Sequence, residues 1–334
     1  MPDIIIIVII VMALAFDYIN GFHDIANVIS TSVSTRALTP RAAVWLASVL
    51  NFLGAMCSTG VAKTIGEDIV VSTQIANDNI LISALIAALI GAIFWNLITW
   101  WLGIPSSSSH ALIGGIIGAV TVAKGYHALK MEGILSIITA LILSSIIAII
   151  TGFIIMIIMY WIVAELAPTQ INSKFRRLQI LTAAMMSFAH GSNDAQKSMG
   201  VITLALLTAG YIPTMDVPTW VKLAAATAMG LGTSAGGWRI IRTMGGKIFK
   251  LEPVSGFAAD LNSAIVIFCA TLLHLPVSTT HVVSGSIMGV GTAKRVNAVH
   301  WNVAQQMMTA WILTIPCSAV VSAIAYKTIR LVFY

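Results

Sequence analysis

The chain has 334 residues, 58% of them hydrophobic and 9% charged, with a mean hydropathy of +0.95. Soluble domains carry roughly a quarter charged residues, so these values exclude a soluble enzyme and predict a polytopic membrane protein. The formal charge of +6 rests on Lys and Arg residues scattered between apolar stretches, a pattern that suits membrane orientation rather than nucleic-acid binding.

The apolar stretches reach about 20 residues, the length a helix needs to cross a bilayer, and the short alternating segments of a membrane β-barrel are absent. Residues 1–15 lack a basic flank and a small-residue cleavage site, so they read as a retained first span rather than a signal peptide. That span continues to residue 35, with an interruption expected near 20–27, and is followed by spans at 42–64, 80–103, 104–123 and 133–164. After a hydrophilic stretch at 168–177 come 178–210, interrupted near 190–197, then 220–243, 255–275, 276–293 and 299–333.

Two words recur along this series. Asn20-Gly21-Phe22-His23-Asp24-Ile25-Ala26-Asn27 in the first span is answered by His190-Gly191-Ser192-Asn193-Asp194-Ala195-Gln196-Lys197, and Pro105-Ser106-Ser107-Ser108-Ser109-His110 by Pro276-Val277-Ser278-Thr279-Thr280-His281. Asp194 follows Asp24 by 170 residues and His281 follows His110 by 171. Matching offsets predict two copies of one unit, 1–172 and 173–334, each with five membrane units. An odd number inverts the second copy, so the expected fold is all-α: two inverted-topology repeats whose broken helices or re-entrant hairpins meet at the membrane midplane.

Basic residues orient the chain, because short cytoplasmic loops are enriched in Lys and Arg. With both termini outside, the inner connections hold eleven (Arg36, Arg41, Lys174, Arg176, Arg177, Arg239, Arg242, Lys247, Lys250, Lys294 and Arg295) against six outside. Asp3, Glu67, Asp68, Asp78 and Asp216 then fall on the outer side. Cys57, Cys269 and Cys317 lie in apolar segments without disulfide or metal spacing.

A carboxylate inside an apolar span costs a few kcal/mol unless it is paired, protonated or facing water, and Asp24 and Asp194 incur that cost at equivalent positions. The neighbouring Gly and Asx residues favour interrupted helices, and carboxylate, amide and freed carbonyl oxygens suit a small hard cation. Asp24, Asn27, Asn193 and Asp194, with Asn20 behind them, are therefore the cation-site candidates, with Asx hydrogen bonding between helices as the structural alternative. Each Pro-hydroxyl-His word precedes an apolar helix whose first N–H groups and dipole favour an anion. Capping needs one hydroxyl per helix; Ser107, Ser108, Ser109, Ser278, Thr279 and Thr280 exceed that need and become oxyanion candidates, joined by Gln196 and Lys197.

Lys197 stands three residues after Asp194 on the same helical face, where it forms a neutral pair, offsets substrate charge or snorkels outward. His23, His110, His190 and His281 invite a proton-relay or metal reading, but they offer no metal-ligand spacing, and satisfied hydrogen-bonding histidines are the structural alternative. Asp260 is a weaker candidate in an apolar neighbourhood. Gly114 and Gly118 match Gly285 and Gly289 at the small-xxx-small spacing of close helix packing.

These two repeated words resemble those of the inorganic phosphate transporter (PiT) family, particularly its bacterial branch, over nearly the entire chain. The resemblance implies a secondary symporter of inorganic phosphate coupled to Na⁺ or H⁺, with no other cofactor, in the inner cell membrane among lipids and possible as a homo-oligomer. Eukaryotic members usually carry Ser-Asn where Gln196-Lys197 stand and an acidic residue near Asn51, so the coupling ion stays open. Proton-coupled phosphate or metal-phosphate symport and sulfate transport are the alternatives. An intramembrane hydrolase built on Ser108 or Ser109 with His110 fits poorly, because the word occurs twice and no nucleophile elbow surrounds it.

Overall fold

In the computed structural model, which describes residues 2–70 and 78–333, every regular element is a helix. They are α1 (Pro2–Ser34), α2 (Pro40–Cys57), α3 (Gly60–Glu67), α4 (Asn79–Leu102), α5 (Ser108–Lys124), α6 (Met131–Val163), α7 (Pro168–Asp194), α8 (Gln196–Thr208), α9 (Thr219–Ala235), α10 (Trp238–Arg242), α11 (Pro253–Leu272), α12 (Thr279–Lys294) and α13 (Trp301–Phe333). A π-helical turn follows α10. Short 3₁₀ turns at Tyr126–Ala128 and Val296–Ala298 precede α6 and α13. α5, its 3₁₀ turn and α6 thus recur in the same order, at nearly the same spacing, as α12, its 3₁₀ turn and α13.

Six helices among the described residues are long and apolar enough to span a membrane: α1, α2, α4, α6, α11 and α13. This is fewer than the ten units expected. α5 and α12 have 17 and 16 residues and are buried on nearly all sides, so protein rather than lipid receives their apolar surface. α7 carries Lys174, Arg176 and Arg177 in its first half, and α9 has 17 residues. The outward faces are apolar, with Ile142, Ile146, Ile150, Ile312 and Ile324 exposed. Exposed Trp45, Trp101, Trp161, Trp220 and Trp301 are the side chains that bilayer interfaces favour.

The first expected interruption is absent: α1 passes unbroken through Asn20–Asn27. In the second copy only Ala195 separates α7 from α8, and its dihedrals are still right-handed helical. The bonds from Ala195 N to Gly191 O and from Met199 N to Ala195 O are both 3.4 Å, so the helix is stretched there rather than opened. The glycines serve close packing instead. A Cβ on Gly21 would lie 2.6 Å from the Met229 carbonyl oxygen, and one on Gly191 would lie 2.1 Å from that of Asn51.

The second word does break the chain in both copies. Gly103 closes α4 with φ +70°, and His274, 171 positions later, takes φ +59° after α11. In each, two backbone bonds tie the exit to the last turn: Ile104 N to Thr99 O and Leu275 N to Ala270 O, both 2.9 Å, with Gly103 N to Trp100 O and His274 N to Thr271 O, both 3.0 Å. This is the Schellman arrangement with a left-handed residue. Glycine adopts that conformation freely, whereas His274 holds it at a steric cost.

Packing interleaves the two halves. α6 lies against α12 and α11, while α13 lies against α5 and α4. Two apolar cores result, one containing Phe16, Leu85, Leu112 and Met199, the other Ile25, Met186, Val282 and Ile287. α1 runs through both, contributing its first half to one and its second half to the other. Between them lies a buried polar layer made of the two repeated words.

Candidate functional site

In the polar layer, α1 presents Asp17, Asn20, Asp24 and Asn27 at helical spacing, all fully buried or nearly so. The start of α5 faces Asp24: the Ser108 hydroxyl donates to Asp24 Oδ2 at 3.0 Å. The start of α12 treats Asp194 in the same way, with Thr279 Oγ1 donating to Asp194 Oδ2 at 3.3 Å. Each signature carboxylate therefore accepts from the first hydroxyl of the helix in its own half, and Thr280 Oγ1 from α12 reaches Asp24 Oδ1 as well, at 3.4 Å. Ligand atoms of Asp24, Asp194 and His190 lie within 4.8 Å of one another, which makes the two carboxylates a single site.

The six hydroxyls divide into three equivalent pairs. Ser107 and Ser278 are N-caps, accepting from His110 N at 3.2 Å and His281 N at 3.3 Å. Ser108 and Thr279 hold the carboxylates. Ser109 Oγ donates across to Val277 O at 2.9 Å, and Thr280 Oγ1 donates back to Ser106 O at 3.0 Å. These two bonds tie each hairpin to the loop of the other. Beside them the His110 and His281 rings lie 4.6 Å apart, and His281 stacks on Trp311.

Lys197 is 1% exposed, so it does not snorkel. Its ammonium lies 2.9 Å from Asp194 Oδ2 and donates to Ser108 Oγ at 3.1 Å, which links the second carboxylate to the first hairpin. Asn20 Nδ2 also donates to Asp194 Oδ2, at 3.3 Å, and Asn27 Nδ2 donates to Thr280 Oγ1 at 2.9 Å. The side-chain oxygens of both asparagines, like Asp194 Oδ1, meet no donor although buried. Buried oxygens are ordinarily hydrogen-bonded. Two amide oxygens and one carboxylate oxygen left over beside Asp24 match the donor set of a hard cation.

Two predicted residues point elsewhere. Gln196 accepts from Ala62 N at 3.1 Å and donates to Ser192 O, so it caps α3 and does not join the hydroxyl cluster. Asn193 donates to Thr271 Oγ1 at 2.9 Å and to Leu275 O at 3.3 Å, fastening the loop that leads to α12. His23 does the corresponding work in the first half, contacting Asp24 Oδ1 at 2.8 Å and Thr99 Oγ1 at 3.2 Å. Asp260 lies outside this group, holding the Thr31 hydroxyl at 2.5 Å and Gln179 Nε2 at 3.3 Å.

Sequence reasoning missed Asp17, Thr99, Ser106 and the pairing of Asn51 with Thr233 at 3.0 Å. Asp17 was legible as a charge in an apolar span, and its helical spacing to Asn20, Asp24 and Asn27 was a usable signal. His190, one of the histidines open to a proton-relay reading, places its Nε2 3.6 Å from Asp194 Oδ2.

A model of the phosphate transporter family matches residues 20–322. A protein of Bacillus subtilis (strain 168) described as a probable low-affinity inorganic phosphate transporter is 56% identical over 331 residues, covering 99% of this chain and 98% of the relative. A Rhizobium meliloti (strain 1021) protein with the same description is 44% identical over 329 residues, covering 97% and 96%. Among solved structures, one described as "The sodium-dependent phosphate transporter" matches with a TM-score of 0.87 at 26% identity, covering 98% of this chain and all of that one. Both repeated words lie within the matched region, and with likeness of this extent the chain belongs to the phosphate transporter family.

Proposed function

We propose that the chain is a Na⁺-coupled symporter of inorganic phosphate in the inner cell membrane, with both termini outside. The observation that carries this reading is the contact of each hairpin hydroxyl with one signature carboxylate, Ser108 on Asp24 and Thr279 on Asp194. It puts cation ligands and anion donors in direct competition. Na⁺ on the carboxylates takes up the oxygens that hold these hydroxyls, and the hydroxyls then turn toward an oxyanion at the starts of α5 and α12. Cation and phosphate attract strongly in this buried layer, so each raises the affinity of the other by the same factor. That coupling is what uphill transport needs. Description of the solved relative as sodium-dependent supports the choice of ion.

Phosphate fits better than sulfate because a protonated phosphate oxygen can donate to Asp24 or Asp194, whereas sulfate at neutral pH has no proton to give. The two halves, read as inverted repeats, provide the two ends of an alternating-access cycle, with one bundle rocking on the other around the polar layer. Coupling to protons or a divalent metal is the second reading, favoured by the His190 nitrogen among the ligand atoms. The Lys197 ammonium at the same carboxylate weighs against a divalent ion.

Purified protein in proteoliposomes should accumulate labelled phosphate on an inward Na⁺ gradient and not on a proton gradient alone; the reverse result would overturn Na⁺ coupling. Ser108→Ala and Thr279→Ala should each raise the half-saturating phosphate concentration about tenfold, because a hydrogen bond to a charged group is worth about 1.5 kcal/mol or more. An unchanged value with a shifted Na⁺ dependence would move these hydroxyls from the anion to the cation.

A further inference from the structure

Arg36 stands just past the end of α1 at φ +60°. Ala37 N bonds to Ser32 O at 2.9 Å and Arg36 N to Val33 O at 3.1 Å, the same exit as at Gly103 and His274. Glycine is the usual occupant of that left-handed place, and a side chain holds it at a steric cost. Residues kept in this region gather at ligand clamps.

The arginine reaches a cleft of about 580 Å³ bounded by the end of α1, the end of α6, the start of α7 and the start of α11. Arg176 of α7 lines the same cleft. Neither guanidinium has an ion-pair or hydrogen-bond partner among the described residues. Glu252, the carboxylate in the lining, is taken up by Lys294 at 2.7 Å, so it does not cancel the arginines. Met156, Val163, Leu251 and Val254 give the cleft a buried apolar wall. Beside it α6 turns Trp161 and Ile162 outward, 78% and 60% exposed, which places this end of the helix at the level of lipid headgroups.

A ligand matched to this lining is anionic at one end and apolar at the other. Guanidinium groups suit the free oxygens of a phosphodiester, and basic pockets between membrane helices hold phospholipid headgroups. A free phosphate would use the arginines and leave the apolar wall without a partner. We propose that the cleft binds the headgroup of one anionic phospholipid, with Arg36 and Arg176 on its phosphate and the apolar wall against the start of an acyl chain. The place is distinct from the polar layer, since Ser34 at its rim lies ten residues past Asp24, about 15 Å along a helix. Its floor reaches the packing of the signature helices: Thr35 donates to Gln179 Oε1 at 2.6 Å, and Gln179 donates to Asp260 Oδ2 at 3.3 Å. A lipid seated there braces the ends of α1, α7 and α11 together.

The test is native mass spectrometry of purified, delipidated protein in detergent, with dioctanoyl phosphatidylglycerol, dioctanoyl phosphatidylcholine and inorganic phosphate as probes. One phosphatidylglycerol per chain should bind, well ahead of phosphatidylcholine. Arg36→Gly with Arg176→Gln should weaken it about thirtyfold, at about fivefold per basic residue, and glycine suits the backbone at position 36. Lys174→Gln with Arg177→Gln removes the same charge from the exposed start of α7 outside the cleft, and should bind nearly as wild type does. Equal loss in the two double variants would overturn the cleft as the site. Equal binding of the two lipids by wild type would overturn the proposal whether or not a variant folds. Displacement of phosphatidylglycerol by an equal concentration of inorganic phosphate would assign the arginines to the free anion and overturn the lipid.

Discussion

Asp24→Asn is expected to lower Na⁺-driven phosphate uptake about a hundredfold in a protein that still folds. The amide has the shape of the carboxylate and keeps one acceptor oxygen; His23 and Ser108 contact opposite carboxylate oxygens, at 2.8 and 3.0 Å, so the Ser108 hydroxyl or the His23 tautomer turns to accept from the new NH2 while local packing is preserved. What disappears is a full negative charge in a buried layer, and hydrogen bonds to a charged group are worth about 1.5–3 kcal/mol. Losing both the cation's attraction and its coupling to phosphate accounts for the two orders of magnitude.

Asp194→Asn should lower uptake by as much but carry a further cost. Lys197 would keep its charge in a fully buried place without the carboxylate it contacts, and breaking such a pair costs about 3–5 kcal/mol. A lower melting temperature for Asp194→Asn than for Asp24→Asn, restored by adding Lys197→Met without restoring uptake, is the expected pattern. Wild-type uptake by Asp24→Asn would remove that carboxylate from the mechanism.

The second large effect concerns folding. Gly118→Ala would place a Cβ 2.1 Å from the Ala319 carbonyl oxygen, and Gly289→Ala would place one 2.1 Å from that of Ile149. Both obstacles are backbone, so relief requires α13 to leave α5, or α6 to leave α12. Overpacking costs about 1–3 kcal/mol even where side chains can give way, and these sites lie at or above the top of that range. Each variant should show a strongly lowered melting temperature and a smaller monodisperse fraction after extraction. Gly246→Ala, with nothing within 4 Å, is the matched control. Equal melting of Gly118→Ala and the control would show that α5 and α13 are not in backbone contact.

The helical class and the meeting of the repeated words were legible because two signals coincided: duplicated spacing, and charge placed where charge is expensive. Asp24 and Asp194 stood out on both counts. Small-xxx-small spacing correctly marked the close contacts of Gly118 and Gly289. The same residue type misled at Gly21 and Gly191, since a glycine that admits a neighbouring backbone and a glycine that opens a helix look alike in one dimension. Side-chain direction was equally hidden. Gln196 and Lys197 are adjacent in sequence, yet one caps α3 while the other reaches Ser108. Asp17 escaped notice because repetition was the filter and Asp17 occurs once. Which apolar helices meet lipid was hidden as well, because a helix sheathed by protein, as α5 and α12 are, has the composition of one sheathed by lipid.

Interleaving of the halves has a consequence for synthesis. α5 ends at Lys124, whereas α13, which covers it, begins at Trp301. At roughly 5–20 residues per second, the nascent first half must hold its hairpin in the membrane for on the order of ten seconds or more before its cover emerges from the ribosome. Until then the small-residue face of α5 has only lipid or an insertion factor to lie against. A ribosome that stalls after the first half would leave that face exposed, making such truncated chains substrates for membrane quality control rather than half-active proteins.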